Sequence, residues 1–229
     1  MGLLLWPASI SSLLAAARAV GDVATAARAT LPFLLGFFGY PIVHYALAQP
    51  VRLYVFGHEF THAVAAWMSG ASVLEFFVGR KGGHVDLSHS NSVIALAPYI
   101  VPIYAVFVIF AYRLLLWAVP FQGASAAHAH WSFLFLVGLM LSFHLIQTAH
   151  SLWEVKQPDL EQAGGAVFSL AVIALLNGVL LILALKCLFP GTVAAGRSLK
   201  MIWQFSLRFW RAAFAVLESS VQYVVHHSS

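Results

Sequence analysis

The chain has 229 residues, of which 61% are apolar and 9% charged, against about 25% charged in ordinary soluble domains. That composition excludes an ordinary soluble domain and indicates an integral, multi-pass membrane protein. A net charge of +4 is too diffuse to argue for nucleic acid and suits anionic lipid headgroups, while the single cysteine, Cys187, excludes an intrachain disulfide and a cysteine-based metal site.

In chain order, residues 1–30 begin with an apolar stretch that lacks the basic n-region of a signal peptide. They read as a retained amphipathic or interfacial segment. Trp6, where Ser or Thr would be needed, argues against myristoylation of Gly2. Windows long enough to cross about 30 Å of hydrocarbon then give about five spans, at 31–49, 51–68, 93–117, 131–153 and 166–188, which make a transmembrane core over 31–189. Trp117, Trp131 and Trp153 fall at span ends, where indoles favour the headgroup interface. The first two spans abut at Pro50 and are short, so one of them is expected to tilt or re-enter.

Between the second and third spans, Val73, Phe76 and Val78 precede Gly79-Arg80-Lys81-Gly82-Gly83 and then His84-Val85-Asp86-Leu87. β-forming residues on both sides of a glycine-rich turn predict a short hairpin. In 190–229, Lys200, Arg208 and Arg211 interrupt Ile202, Trp203, Phe205, Phe209 and Trp210, the pattern of a basic amphipathic helix lying at the interface. The expected fold is therefore an all-α polytopic membrane protein with a small β-hairpin and a C-terminal amphipathic helix.

The chemistry is concentrated in His58-Glu59-Phe60-Thr61-His62, an HExxH motif inside the apolar run 51–68. On a helix, residues four apart share a face and are separated by about 6 Å along the axis, so both imidazoles can reach one metal ion. Glu59 then lies where it can deprotonate a water polarised by that ion. Ionisable groups at membrane depth cost roughly 2.5–3.5 kcal/mol each, and a metal supplies a reason for them; interhelical hydrogen bonding is the plainer alternative.

Zinc catalysis normally uses three protein ligands. Ala65 and Met68 exclude the metzincin extension. Glu75 and Asp86 fall in the hairpin and read as surface charges, and His144 in the fourth span reads as a core or supporting histidine. A second acidic cluster, Trp153-Glu154-Val155-Lys156-Gln157-Pro158-Asp159-Leu160-Glu161, follows the fourth span. Counting crossings puts Asp159 on the same side of the membrane as the hairpin, and Pro158 disfavours helix at Gln157, which can turn a carboxylate back towards the helices. Pro98 and Pro102 are expected to bend the third span. His128 and His130 are expected in a loop, His84 and His89 in a solvated loop near the entrance, and Asn177-Gly178 in a helix-packing contact.

Gly57-His58-Glu59-Phe60-Thr61-His62-Ala63, the Gly-Gly hairpin, Ala97-Pro98-Tyr99-Ile100-Val101-Pro102 and Gln157-Pro158-Asp159-Leu160 together resemble the site-2 protease class of intramembrane zinc metalloproteases, family M50. The resemblance covers roughly 51–177. It implies one Zn2+ per chain held by His58, His62 and Asp159, with Glu59 activating a zinc-bound water, and an extended substrate held along Gly82, Gly83, His84 and Val85. The substrate would be a membrane protein or peptide, and the active site would face the cytoplasm. The chain departs from the family's usual Leu-Asp-Gly: its aspartate lies in Gln-Pro-Asp-Leu, with Gly164 five residues on. The competing expectations are a membrane diiron oxidase, which lacks its usual HxxHH boxes here, and a non-proteolytic ion transporter or scaffold.

Overall fold

The computed structural model describes residues 2–47, 49–79, 82–154 and 157–227. Expectations for Arg80 and Lys81 in the turn, for Val155 and Lys156, and for the side chain of Glu154 fall outside the described residues. The chain runs α1 (Gly2–Thr25), α2 (Ala27–Ala46), α3 (Val51–Met68), β1 (Val73–Val78), β2 (Gly83–Leu87), α4 (Ser92–Ile100), α5 (Ile103–Ala118), α6 (Gly123–Glu154), α7 (Pro158–Gln162), α8 (Ala166–Leu188) and α9 (Ala195–His227).

Among the described residues, α1, α2, α6 and α8 are long and apolar enough to cross a membrane, and α4 with α5, bent by 69°, make a fifth crossing if the pair is one span. The spans are not quite those expected from sequence. Within 1–30, expected to be interfacial, α1 meets the criteria for a crossing, and α3 is not among the four because Arg52, His58, Glu59 and His62 dilute its apolar run. The polar residues of α1 are absorbed by packing: Ser9 Oγ donates to the Ala171 carbonyl of α8 at 2.7 Å, and Ser12 Oγ to the Ser9 carbonyl at 2.8 Å. A hydroxyl bonded to a backbone carbonyl no longer opposes burial in an apolar surrounding.

α1 packs chiefly on α8, and α2 on α6. The second crossing depends on two glycines. A Cβ on Gly36 would run into the Phe135 carbonyl, and one on Gly138 into the Phe33 carbonyl, so only hydrogen at both positions lets the backbones approach this closely. Phe33, Val137, Ile182 and Leu185, all essentially inaccessible, form the centre of the main apolar cluster.

α6 starts at Gly123, so His128 and His130 lie on its early turns rather than in a loop; the apolar window starting at Trp131 hides a helix that begins earlier. The expected hairpin is present, antiparallel, with Glu75 opposite Asp86, Phe76 opposite Val85, and Phe77 opposite His84. Asn91 caps α4 by accepting from the Val93 and Ile94 amides. The expected bend in the third span is a full break: Val101 is extended, Pro102 has no N–H, and the Ile103 amide bonds the Val101 carbonyl instead of that of Tyr99. Asn177 of α8 fills the gap, its Nδ2 donating to the Tyr99 carbonyl at 2.7 Å. Early in α9, Ile202 is buried in the main cluster, whereas Trp203, Phe214 and Leu217 are exposed.

Candidate metal centre

α3 places His58 and His62 on one face, one turn apart, with their rings 4.9 Å between centroids. α7 brings the third group. Gln157 is extended, Pro158 starts the helix and Asp159 follows within its first turn, so the proline fixes where the chain turns back towards α3. α7 is in turn held from two sides: Ser92 Oγ of α4 donates to the Ala163 carbonyl at 3.1 Å, and Ser169 Oγ of α8 to the Leu160 carbonyl at 3.0 Å.

The result is convergent. Asp159 Oδ2 lies 3.4 Å from His58 Nε2 and 3.5 Å from His62 Nε2, and one ligand atom from each of the three residues falls within 4.8 Å of the others. A tetrahedral ion with bonds of about 2.0–2.1 Å holds its ligand atoms about 3.3–3.4 Å apart. The two nitrogen-to-oxygen separations therefore suit a small divalent ion, and a donor set of two imidazoles and one carboxylate would leave a fourth position open.

Neighbouring groups orient each ligand. His62 Nδ1 is 2.9 Å from the Ile94 carbonyl; a carbonyl only accepts, so that nitrogen carries the proton and Nε2 presents its lone pair. His58 Nδ1 is 3.5 Å from the Tyr54 hydroxyl, one turn earlier. Tyr99, wholly buried, touches two ligands at once: its hydroxyl donates to Asp159 Oδ2 at 2.8 Å, and its ring lies edge-on to His58 at 5.1 Å. The same hydroxyl is 3.0 Å from Gln157 Oε1, whose amide donates to Ser151 Oγ at 2.9 Å. Burial acts to raise the Asp159 carboxyl, but the neighbouring His58 and His62 imidazoles and the hydrogen bond from Tyr99 outweigh it and hold the group below the usual carboxylate range. It is therefore ionised at neutral pH, as a metal ligand must be.

Glu59 is buried beside the two histidines and packs against the start of β2, where a Cβ on Gly83 would lie 2.9 Å from Glu59 Cγ and 2.7 Å from the Phe77 carbonyl. Glycine at 83 is what lets the strand approach the motif. A cavity of about 690 Å³ opens between β2 and α7 over His58, Glu59, His62 and Asp159. Gly83, His84 and Val85 line it; Gly82 lines a second cavity on the other side of Glu59.

Other sequence candidates are placed elsewhere. Glu75 and Asp86 are exposed on the hairpin, where they group with His84. His144 Nε2 bonds Asn177 Oδ1 at 3.1 Å and takes no place among the ligands. Tyr99 had no assigned role in the sequence; the available signal was a phenol between two prolines, next to a helix break and within reach of an acidic group. No protein-family model matches the chain, and no curated protein or solved structure matches it either.

Proposed function

We propose that the protein is a membrane-embedded zinc metalloprotease that hydrolyses a peptide bond of a membrane protein or peptide. The observation that supports it most is the convergence of His58, His62 and Asp159 around one position, with Glu59 buried beside them at a cavity edged by a strand. Zinc bound there would polarise the scissile carbonyl and acidify a water. Glu59 takes the proton from the attacking water and returns one to the leaving amine. Ile94 and Tyr99 keep His62 and Asp159 in the orientation that would hold the ion.

A peptide bond inside a helix is sheltered, so the substrate must unwind. Among the described residues β2 pairs only with β1, and its other edge runs along the cavity, where a chain can add as a strand. Gly83, His84 and Val85 would hold it there, with Gly82 at the turn. A cytoplasmic orientation follows from the resemblance to site-2 proteases. The diiron alternative gains no support from the remaining histidines: among the described residues the other His and acid group is Glu75, His84 and Asp86, all exposed.

The test is zinc content together with cleavage of a designed transmembrane substrate by purified wild type and Glu59→Gln. The variant should keep about one zinc per chain and lose at least ~10² of the rate, the scale of a positioned general base. Cleavage at the wild-type rate by Glu59→Gln would overturn the proteolytic mechanism.

A further inference from the structure

The three candidate ligands are steadied by different kinds of group. His62 Nδ1 meets a backbone carbonyl, whereas His58 and Asp159 meet the hydroxyls of Tyr54 and Tyr99, and both phenols lead back to the last turns of α6. Tyr54 has Ser151 as a hydrogen-bonding neighbour. From the other side, Gln157 Nε2 donates to Ser151 Oγ at 2.9 Å and to the Ser151 carbonyl at 3.2 Å, and Gln157 Oε1 lies 3.0 Å from the Tyr99 hydroxyl. The contacts thus run in one series from His58 through Tyr54, Ser151, Gln157 and Tyr99 to Asp159. For His58 Nε2 to face an ion, its Nδ1 must carry the proton; the Tyr54 oxygen then accepts it, and the phenol proton is left for Ser151 Oγ. A serine hydroxyl has two acceptor sites, one for Tyr54 and one for the Gln157 amide.

We propose that Ser151 and Gln157 are positioning residues of the metal centre: acting through Tyr54 and Tyr99, they hold His58 on α3 and Asp159 on α7 at the separation that one ion requires. The proposal rests on the reading of these two residues as metal ligands and adds what sets their spacing. His58 and Asp159 belong to different elements, so helical spacing does not fix the distance between them. Ser151 is 9% exposed, and hydrogen bonds in such surroundings are stronger than in water. An amide suits the junction because it offers a donor to one hydroxyl and an acceptor to the other. A methionine at 157 would offer neither.

The experiment uses the full chain in detergent with Co2+ as the probe, whose visible absorption reports the geometry of its ligands. Ser151→Ala and Gln157→Met should each weaken cobalt binding about tenfold, the low end of the scale for a group that supports a ligand, and each should alter the visible band. Ser151→Thr, which retains a hydroxyl, should stay near wild type. Because both losses break the same series, the double variant should also stand about tenfold below wild type, whereas independent sites would multiply to roughly a hundredfold. The melting temperature of the metal-free protein should move little in any of them. Unchanged affinity and band in both single variants, a multiplied loss in the double, a loss in Ser151→Thr equal to that in Ser151→Ala, or losses that track the metal-free melting temperature would overturn the proposal. The two readings fail separately. The expected pattern of cobalt binding in a protein that cleaves no designed transmembrane substrate would refute the protease and leave the positioning role, whereas cleavage by a protein whose metal binding is indifferent to Ser151 and Gln157 would do the reverse.

Discussion

The crossing of α2 with α6 and the candidate metal centre are both places where distant segments come very close, by opposite means. At the crossing, Gly36 and Gly138 remove side chains so that backbones meet over the Phe135 and Phe33 carbonyls. At the centre, side chains from α3, α4 and α7 reach towards one another, and Tyr99 donates to Asp159 between them. One contact is governed by volume and the other by donors and acceptors. Substitutions should therefore divide into those that lower stability with chemistry intact and those that lower metal binding with the fold intact.

The largest separation should come from Asp159→Asn. It keeps the shape and removes the charge, and metal affinity should fall by roughly 10²-fold or more, beyond the 10- to 100-fold typical of a group that only supports a ligand. Glu161→Gln, two residues on, should change it little. Competition with a chelating indicator measures both; equal effects would place the third ligand wrongly. At the crossing, Gly138→Val should cost about 1–3 kcal/mol by overpacking against the Phe33 backbone, read as a lower melting temperature in detergent, with one metal still bound below the transition. A variant that lost metal before melting would show the two regions to be coupled. Tyr99→Phe removes a single oxygen and should weaken metal binding about tenfold without moving the melting temperature as far as Gly138→Val does.

The smallest effect on the centre should come from ending the chain after Ser206. Arg208 and Arg211 would go with the exposed Phe209, Phe214 and Leu217, weakening association with anionic lipid by about 1 kcal/mol per cation, while metal content should not change. The cut has to spare Ile202, which is buried in the main cluster; a truncation from Ser198 would damage the bundle and confuse the two effects. Metal loss from a folded 1–206 chain would show that the tail supports the centre.

The centre was more legible in the sequence than the bundle. His58 and His62 share a face by local helical spacing, so a short-range rule reaches two of the candidate ligands, whereas Asp159 was singled out by counting crossings and by the resemblance, with Pro158 as the local sign of a turn. α1 was harder to read because Ser9, Ser11 and Ser12 make it look interfacial until their hydroxyls are seen bonded to carbonyls of α1 and α8. Polarity alone does not reveal whether a partner waits elsewhere in the chain. The start of α6 was missed for a related reason: His128 and His130 interrupt hydropathy without interrupting the helix. Tyr99 depends on contacts across 58 or more residues, and no local pattern carries that information.

The distance along the chain between the ligands has a consequence during biosynthesis. Asp159 follows His62 by 97 residues, which at typical elongation rates of about 5–20 residues per second is a delay of roughly 5–20 s. Throughout that interval a nascent chain carries the HExxH helix but not the aspartate or the α7 turn that presents it. The three-residue cluster is thereby incomplete while the chain is being inserted, and it closes only after α4, α6 and α7 have assembled around α3.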